Sequence, residues 1–248
     1  GGRDGAVEHC RCFSDWVTRL LRGGPSAVAA ILPAERARIG TALYDAASLY
    51  LENHEVTSAV RALRQCLSLR ASVLGPDHVL LADVNYRLGQ VNSEMGTHRR
   101  AMDHYRDALR VYALTSGPYS DNVAAVLCSM GQTHYARGEL DEALAVYAET
   151  LRIIHRTYGG QHRFTANILG TMGNMHLERG DTMLAMNDFA NAERIMRILQ
   201  TLEGEAIRSE GRDGAWGSST DHSSLVVVVP SMSLQIMGLL FHPCAAAA

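Results

Sequence analysis

A 42-residue periodicity governs what this chain can fold into. Gly75-Pro76-Asp77-His78, Gly117-Pro118-Tyr119-Ser120 and Gly159-Gly160-Gln161-His162 recur at that step. Leu88-Gly89, Met130-Gly131 and Met172-Gly173 keep it, as do Gly96, Gly138 and Gly180. Ala101, Ala143 and Ala185 share one column, and Tyr105, Tyr147 and Phe189 share another. One step earlier, Ala47, Ala59, Leu63, Leu67 and Leu69 fall in corresponding columns. Self-similarity at such a period marks a stacked-repeat architecture, in which one unit alone cannot bury its apolar face. Four units are expected, 33–74, 75–116, 117–158 and 159–203.

Each unit reads as two helices. In the third, Asn122, Ala125, Val126, Ser129, Met130 and Thr133 follow helical spacing. Gly138 ends that helix, because the residue after a helix often takes a positive φ. Leu140, Ala143, Leu144, Tyr147, Leu151 and Ile154 then form the apolar stripe of a second helix. Glu139, Asp141 and Glu142 lie at its start and Arg152, His155 and Arg156 near its end, the favourable signs for the helix dipole. The small residues Gly131 and Ala143 allow the two helices to approach, and Tyr147 fills the space beside them. The chain is therefore expected to be all-α.

Small residues at Gly131 and Ala143, the aromatic Tyr147 and the helix-ending Gly138 resemble the tetratricopeptide repeat. The 42-residue period, and Leu74-Gly75-Pro76-Asp77-His78 between units, resemble the kinesin light chain-like branch of that family. The positions where that branch carries an Asn pair hold Tyr44-Asp45, Tyr86-Arg87, Cys128-Ser129 and Gly170-Thr171. The resemblance implies a right-handed superhelical solenoid of antiparallel helix pairs, acting as a non-enzymatic scaffold or adaptor. It also implies that the first helices line a concave groove that holds a peptide segment of a partner protein. The groove residues it implies are Tyr44, Asp45 and Ser48; Asp83, Tyr86, Arg87 and Gln90; Cys128, Ser129, Gln132 and Tyr135; and Asn167, Thr171 and Asn174. Gln90, Gln132 and Asn174 share a column and would form an amide ladder for a peptide backbone. Arg87 is the only basic residue in the set, too few for a C-terminal carboxylate clamp.

Charge excludes other classes. With 23 Lys+Arg against 26 Asp+Glu, the net charge of -3 gives no footprint for nucleic acid. No catalytic constellation is apparent: there is no phosphate-binding Gly-rich loop, nucleophile elbow or His-Glu-x-x-His. His9-Cys10-Arg11-Cys12 has tighter spacing than structural zinc sites use, so no metal or other cofactor is expected. His134 and His176, which share a column, read as helix-packing residues, and His78 and His162 as residues that position the turns. Five scattered cysteines (Cys10, Cys12, Cys66, Cys128, Cys244) suggest a reducing compartment, hence the cytoplasm.

Residues 1–32 are expected to form an N-terminal segment with a short amphipathic helix, Ser14 to Arg22. Its apolar side would be Trp16, Val17, Leu20 and Leu21, capping the first repeat. Residues 204–248 read as a flexible linker followed by an apolar, disordered tail. Pro230, Ser231, Ser233 and Gln235 interrupt the run from Leu225 to Phe241, so a membrane span is not expected. Uncapped repeat ends would give surfaces for self-association. Because the sequence starts at Gly1, the alternative reading is a docking or regulatory segment of a larger enzyme or motor-associated protein.

Overall fold

The computed structural model describes residues 2–213. Among these are ten α-helices and no strand. Helices α1 (Gly2–Arg22) and α2 (Gly24–Ala29) precede four pairs. The pairs are α3 (Pro33–Glu52) with α4 (Val56–Ala71), α5 (Val79–Glu94) with α6 (His98–Thr115), α7 (Asp121–Ala136) with α8 (Leu140–Tyr158), and α9 (Arg163–Arg179) with α10 (Thr182–Asp213). Each second helix also touches the first helix of the next pair, α4 on α5, α6 on α7 and α8 on α9. Gly1–Leu202 is one compact unit, and Glu203–Ala248 is a second, helical where described. The stretch 204–213, read from sequence as linker, is thus helix. The apolar run from Leu225 to Phe241 and Cys244 lie outside the described residues.

The repeated columns build the core. Ala59, Ala101, Ala143 and Ala185 are all fully buried, so that a larger residue would push the second helix off its partner. A methyl group at residue 131 would lie 2.9 Å from the Tyr147 ring, and one at residue 173 would lie 2.7 Å from Phe189. Glycine is therefore required beneath the aromatic column. In the first unit the same columns hold Ala47 and Leu63, both buried. The larger Ala47 is matched by a smaller residue above it, so this unit departs from the pattern with a compensated pair.

Two expected glycine stops form as read: Gly138 (φ 76°) and Gly180 (φ 89°) follow α7 and α9 in the left-handed region. His78 and His162 cap helices. Their Nδ1 atoms accept from the backbone N–H of Leu80 and Phe164 at 3.1 and 3.2 Å, satisfying one orphan donor of α5 and one of α9. Ser120, in the same column, makes no such side-chain bond.

Helix α1 is longer than the expected Ser14–Arg22; of its expected apolar side Val17 is buried and Leu20 and Leu21 are partly buried. Val7, Ser14 and Val17 face inward, whereas Trp16 is 45% exposed and stacks on Phe13. Ser14 is buried because Gln65 of α4 meets it: Ser14 Oγ donates to Gln65 Oε1 at 3.2 Å, and Gln65 Nε2 donates to Thr18 Oγ1 at 2.6 Å. An Arg11–Glu55 ion pair ties α1 to the turn between α3 and α4. These contacts cover the first pair.

Candidate functional site

The residues expected to line the groove fall on the first helix of each pair, α3, α5, α7 and α9. They divide into exposed side chains and side chains tied into the fold. Asp45, Gln132 and Asn174 are exposed. Tyr44, Ser48, Asp83, Tyr86, Arg87, Gln90, Cys128, Ser129, Tyr135, Asn167 and Thr171 are partly buried.

Neighbouring first helices are joined by hydroxyl bonds. The Tyr86 hydroxyl of α5 lies 3.2 Å from Ser129 Oγ of α7, and Ser129 Oγ donates to the Ala125 carbonyl at 3.1 Å. One turn further, Ser93 Oγ and Thr133 Oγ1 are 2.9 Å apart, with Thr133 fully buried. On the next interface, the Tyr135 hydroxyl donates to Glu178 of α9. Tyr86, Ser129 and Tyr135 therefore hold successive repeats in register. Ser48 and Thr171 return their hydroxyls to carbonyls of their own helices, Tyr44 and Asn167.

Asp83 is bound from outside its helix. The buried Tyr112 of α6 donates its hydroxyl to Asp83 Oδ1 at 2.6 Å. Burial, reinforced by that carboxylate, raises the Tyr112 pKa, so the phenol stays protonated and keeps donating. Arg87 Nη1 donates to Gln90 Oε1 at 3.2 Å, so the first rung of the amide ladder has a partner that Gln132 and Asn174 lack among the described residues. Two residues near this surface were missed from sequence. Arg70 of α4 is 5% exposed, lies 5.3 Å from the Tyr44 ring centroid and donates to the Leu80 carbonyl at 3.1 Å. Its signal was available: Gly40, opposite Arg70, leaves room for its side chain. Tyr112, the partner of Asp83, gave no periodic signal, since Ile154 and Met196 occupy its column.

The other candidates have structural partners. His134 Nδ1 lies 2.7 Å from Glu139, and His176 Nδ1 lies 2.9 Å from Asp188. Each therefore links the first helix of its pair to the start or body of the second. Cys66 is buried, and burial pushes its thiol up to about 11 and that of Cys128 to about 12. Neither is poised as a nucleophile. Among the described residues no three His, Cys, Asp or Glu side chains converge as metal ligands. No helix among them is long and apolar enough to cross a membrane.

A family model described as "Tetratricopeptide repeat" matches residues 38–113 and 117–197. No curated protein matches the chain. Among solved structures, BtubC (BKLC) from P. vanneervenii is 16% identical and superposes with a TM-score of 0.59, covering 92% of this chain and 98% of that one. The putative kinesin light chain of Podosopora anserina, described as having nearly identical TPR-like repeats, is 17% identical with a TM-score of 0.58. That match covers 78% of this chain and 98% of that one. MamA is 17% identical with a TM-score of 0.54, covering 81% and 92%. At these identities the likeness is one of fold.

Proposed function

Because the chain belongs to the tetratricopeptide repeat family, whose repeats mediate protein–protein contact, we propose that it is a non-enzymatic scaffold holding a peptide segment of a partner along its first helices. The carrying observation is the division of side chains on those helices. Tyr86, Ser129 and Tyr135 are occupied in joining repeats, while Asp45, Gln132 and Asn174 point polar groups outward from α3, α7 and α9. A peptide laid across the repeats needs such side-chain donors and acceptors for its backbone. Gln90, Arg87 and Asn167 supply further polar contacts, and Tyr44 an aromatic surface.

The kinesin light chain-like repeat length and the polar, nearly neutral groove favour an adaptor working in the cytoplasm, with a protein partner and neither nucleic acid nor membrane. Met183 and Met186 of α10, 79% and 61% exposed, support self-association at that end. The test is affinity capture from the native cell, comparing the wild-type chain with the triple variant Asp45→Ala, Gln132→Ala, Asn174→Ala. These exposed positions should cost stability no more than about 0.5 kcal/mol each. Loss of partner recovery with an unchanged Tm is expected. Unchanged recovery refutes the groove.

A further inference from the structure

The last repeat carries a cleft lined by an arginine without a carboxylate partner among the described residues. It has a volume of about 600 Å³ and lies between the end of α8, the 159–161 turn, the start of α9 and the middle of α10. Leu151, Leu169 and Ile195 give it an apolar wall, and Arg194, Asn191 and Thr165 contribute polar groups. None of the proposed groove residues lines it. Thr165 is 6% exposed, and its hydroxyl has no hydrogen-bond partner among the described residues. A buried hydroxyl left unpaired costs about 1–3 kcal/mol, a cost that a polar group brought into the cleft would offset.

The 42-residue register shows what changed. Thr165 stands where the earlier repeats have Leu81 and Val123. Arg194 is retained from Arg110 and Arg152, but its neutralising partners are not. Arg110 pairs with Asp77 at 2.5 Å, and the residue in the Asp77 column is now Gln161. Arg152 pairs with Glu149, and the residue in that column is now Asn191. Among the described residues Arg194 makes no ion pair and Asn191 bonds only Asn187, at 3.4 Å. His155 replaces Ala71 and Ala113, and Gly160 replaces Pro76 and Pro118. The two changes are coupled, since a Cβ at residue 160 would lie 2.8 Å from His155 Nε2. Both carboxylates have left one pocket while its arginine stays, and neutral donors stand in their place.

We propose that this cleft binds a small carboxylate with an aliphatic body. Arg194 pairs with the carboxylate, Thr165, Asn191 and Gln161 donate to it, and Leu151, Leu169 and Ile195 cover the chain. Among the described residues Arg194 is the single Lys or Arg side chain lining the cleft, which matches a monoanion better than a phosphate dianion. The carboxylate can belong to a free acid or to the end of a peptide. Hexanoate, hexanol, N-acetyl-Gly-Gly-Leu and its carboxamide separate the cases when titrated into the full chain by calorimetry and by heteronuclear NMR.

Saturable binding of hexanoate with none of hexanol supports the free acid. Binding of the tripeptide acid but not of its amide or of hexanoate supports the peptide end. Either ligand should bind at least about tenfold more weakly to Arg194→Gln and to Thr165→Val, the loss expected of one charge-assisted or buried hydrogen bond. Arg194 is exposed, and Thr165→Val restores the residue type of the preceding repeat, so both variants should fold. The triple groove variant should bind the same ligand as the wild-type chain does, which separates this site from the groove. The proposal is overturned if no carboxylate binds saturably, if hexanol binds as well as hexanoate, or if Arg194→Gln binds undiminished.

Discussion

Replacing Gly89 with alanine tests the packing rule that sets the repeat. The added methyl would lie 2.5 Å from Cδ1 of Tyr105, whose ring is 1% exposed. Carbon atoms in good contact sit roughly 3.5–4.0 Å apart, so the ring or helix α5 must move. Overpacking of this kind costs about 1–3 kcal/mol, and the overlap with two ring carbons puts this case near the top. Alanine returns about 1 kcal/mol through its higher helix propensity. The net expectation is a loss of about 2 kcal/mol, measured by urea unfolding. The double variant Gly89→Ala, Tyr105→Leu copies the pair found at Ala47 and Leu63. Its loss should be smaller than the sum of the two single losses, by about 1–3 kcal/mol of favourable coupling. A single variant as stable as the parent, or an additive cycle, would refute the reasoning.

Other expectations follow from the same contacts. Burial pushes the thiol of Cys66 up to about 11, that of Cys128 to about 12 and the phenol of Tyr50 to about 12, and it also raises Tyr105, Tyr112 and Tyr147. These folded values exceed the unfolded ones of roughly 8.5 for Cys and 10 for Tyr, so their stabilising contribution is complete below about pH 8.5 and is lost as pH rises. Unfolding free energy measured from pH 8 to 11 should fall throughout, and a flat profile would contradict the burial. His162 is shifted the other way: desolvation lowers its pKa, and its Nδ1 accepts the Phe164 N–H. Stability should therefore fall as the pH drops below roughly 6.5, and His162→Asn, which keeps a capping acceptor, should blunt that fall in thermal melts. Tyr112→Phe removes the donor from Asp83 and should cost about 1–3 kcal/mol in urea unfolding. An unchanged midpoint would show that the carboxylate finds water instead.

Periodicity was enough to read the helix pairs, because the columns that make them are local and repeat. Gly131 beneath Tyr147 is visible as two columns at fixed spacing, and the structure places them in contact. The same columns mislead where a pair changes together. Ala47 looks like a decayed glycine until Leu63 is seen above it. Helix α1 extends beyond the expected start because the stretch before Ser14 carries Gly5 and, among its described side chains, buries only Val7, so no apolar stripe marks it in the sequence. The candidate groove was legible as columns of polar residues, but not as partners. Whether Tyr86 faces a ligand or bonds Ser129 of the next repeat depends on how two helices dock, and a column records identity alone. Asp83 is bound by Tyr112 for the same reason, a contact made across helices by a residue with no periodic counterpart.

Site-specific photo-crosslinking tests the scaffold reading most directly. A photoreactive residue in place of Gln132 on α7, and a control in place of the exposed Ala148 on α8, would each be expressed in the native cell. The account predicts one partner protein crosslinked from position 132 and absent from position 148. Crosslinking of that partner from 148 alone would contradict it.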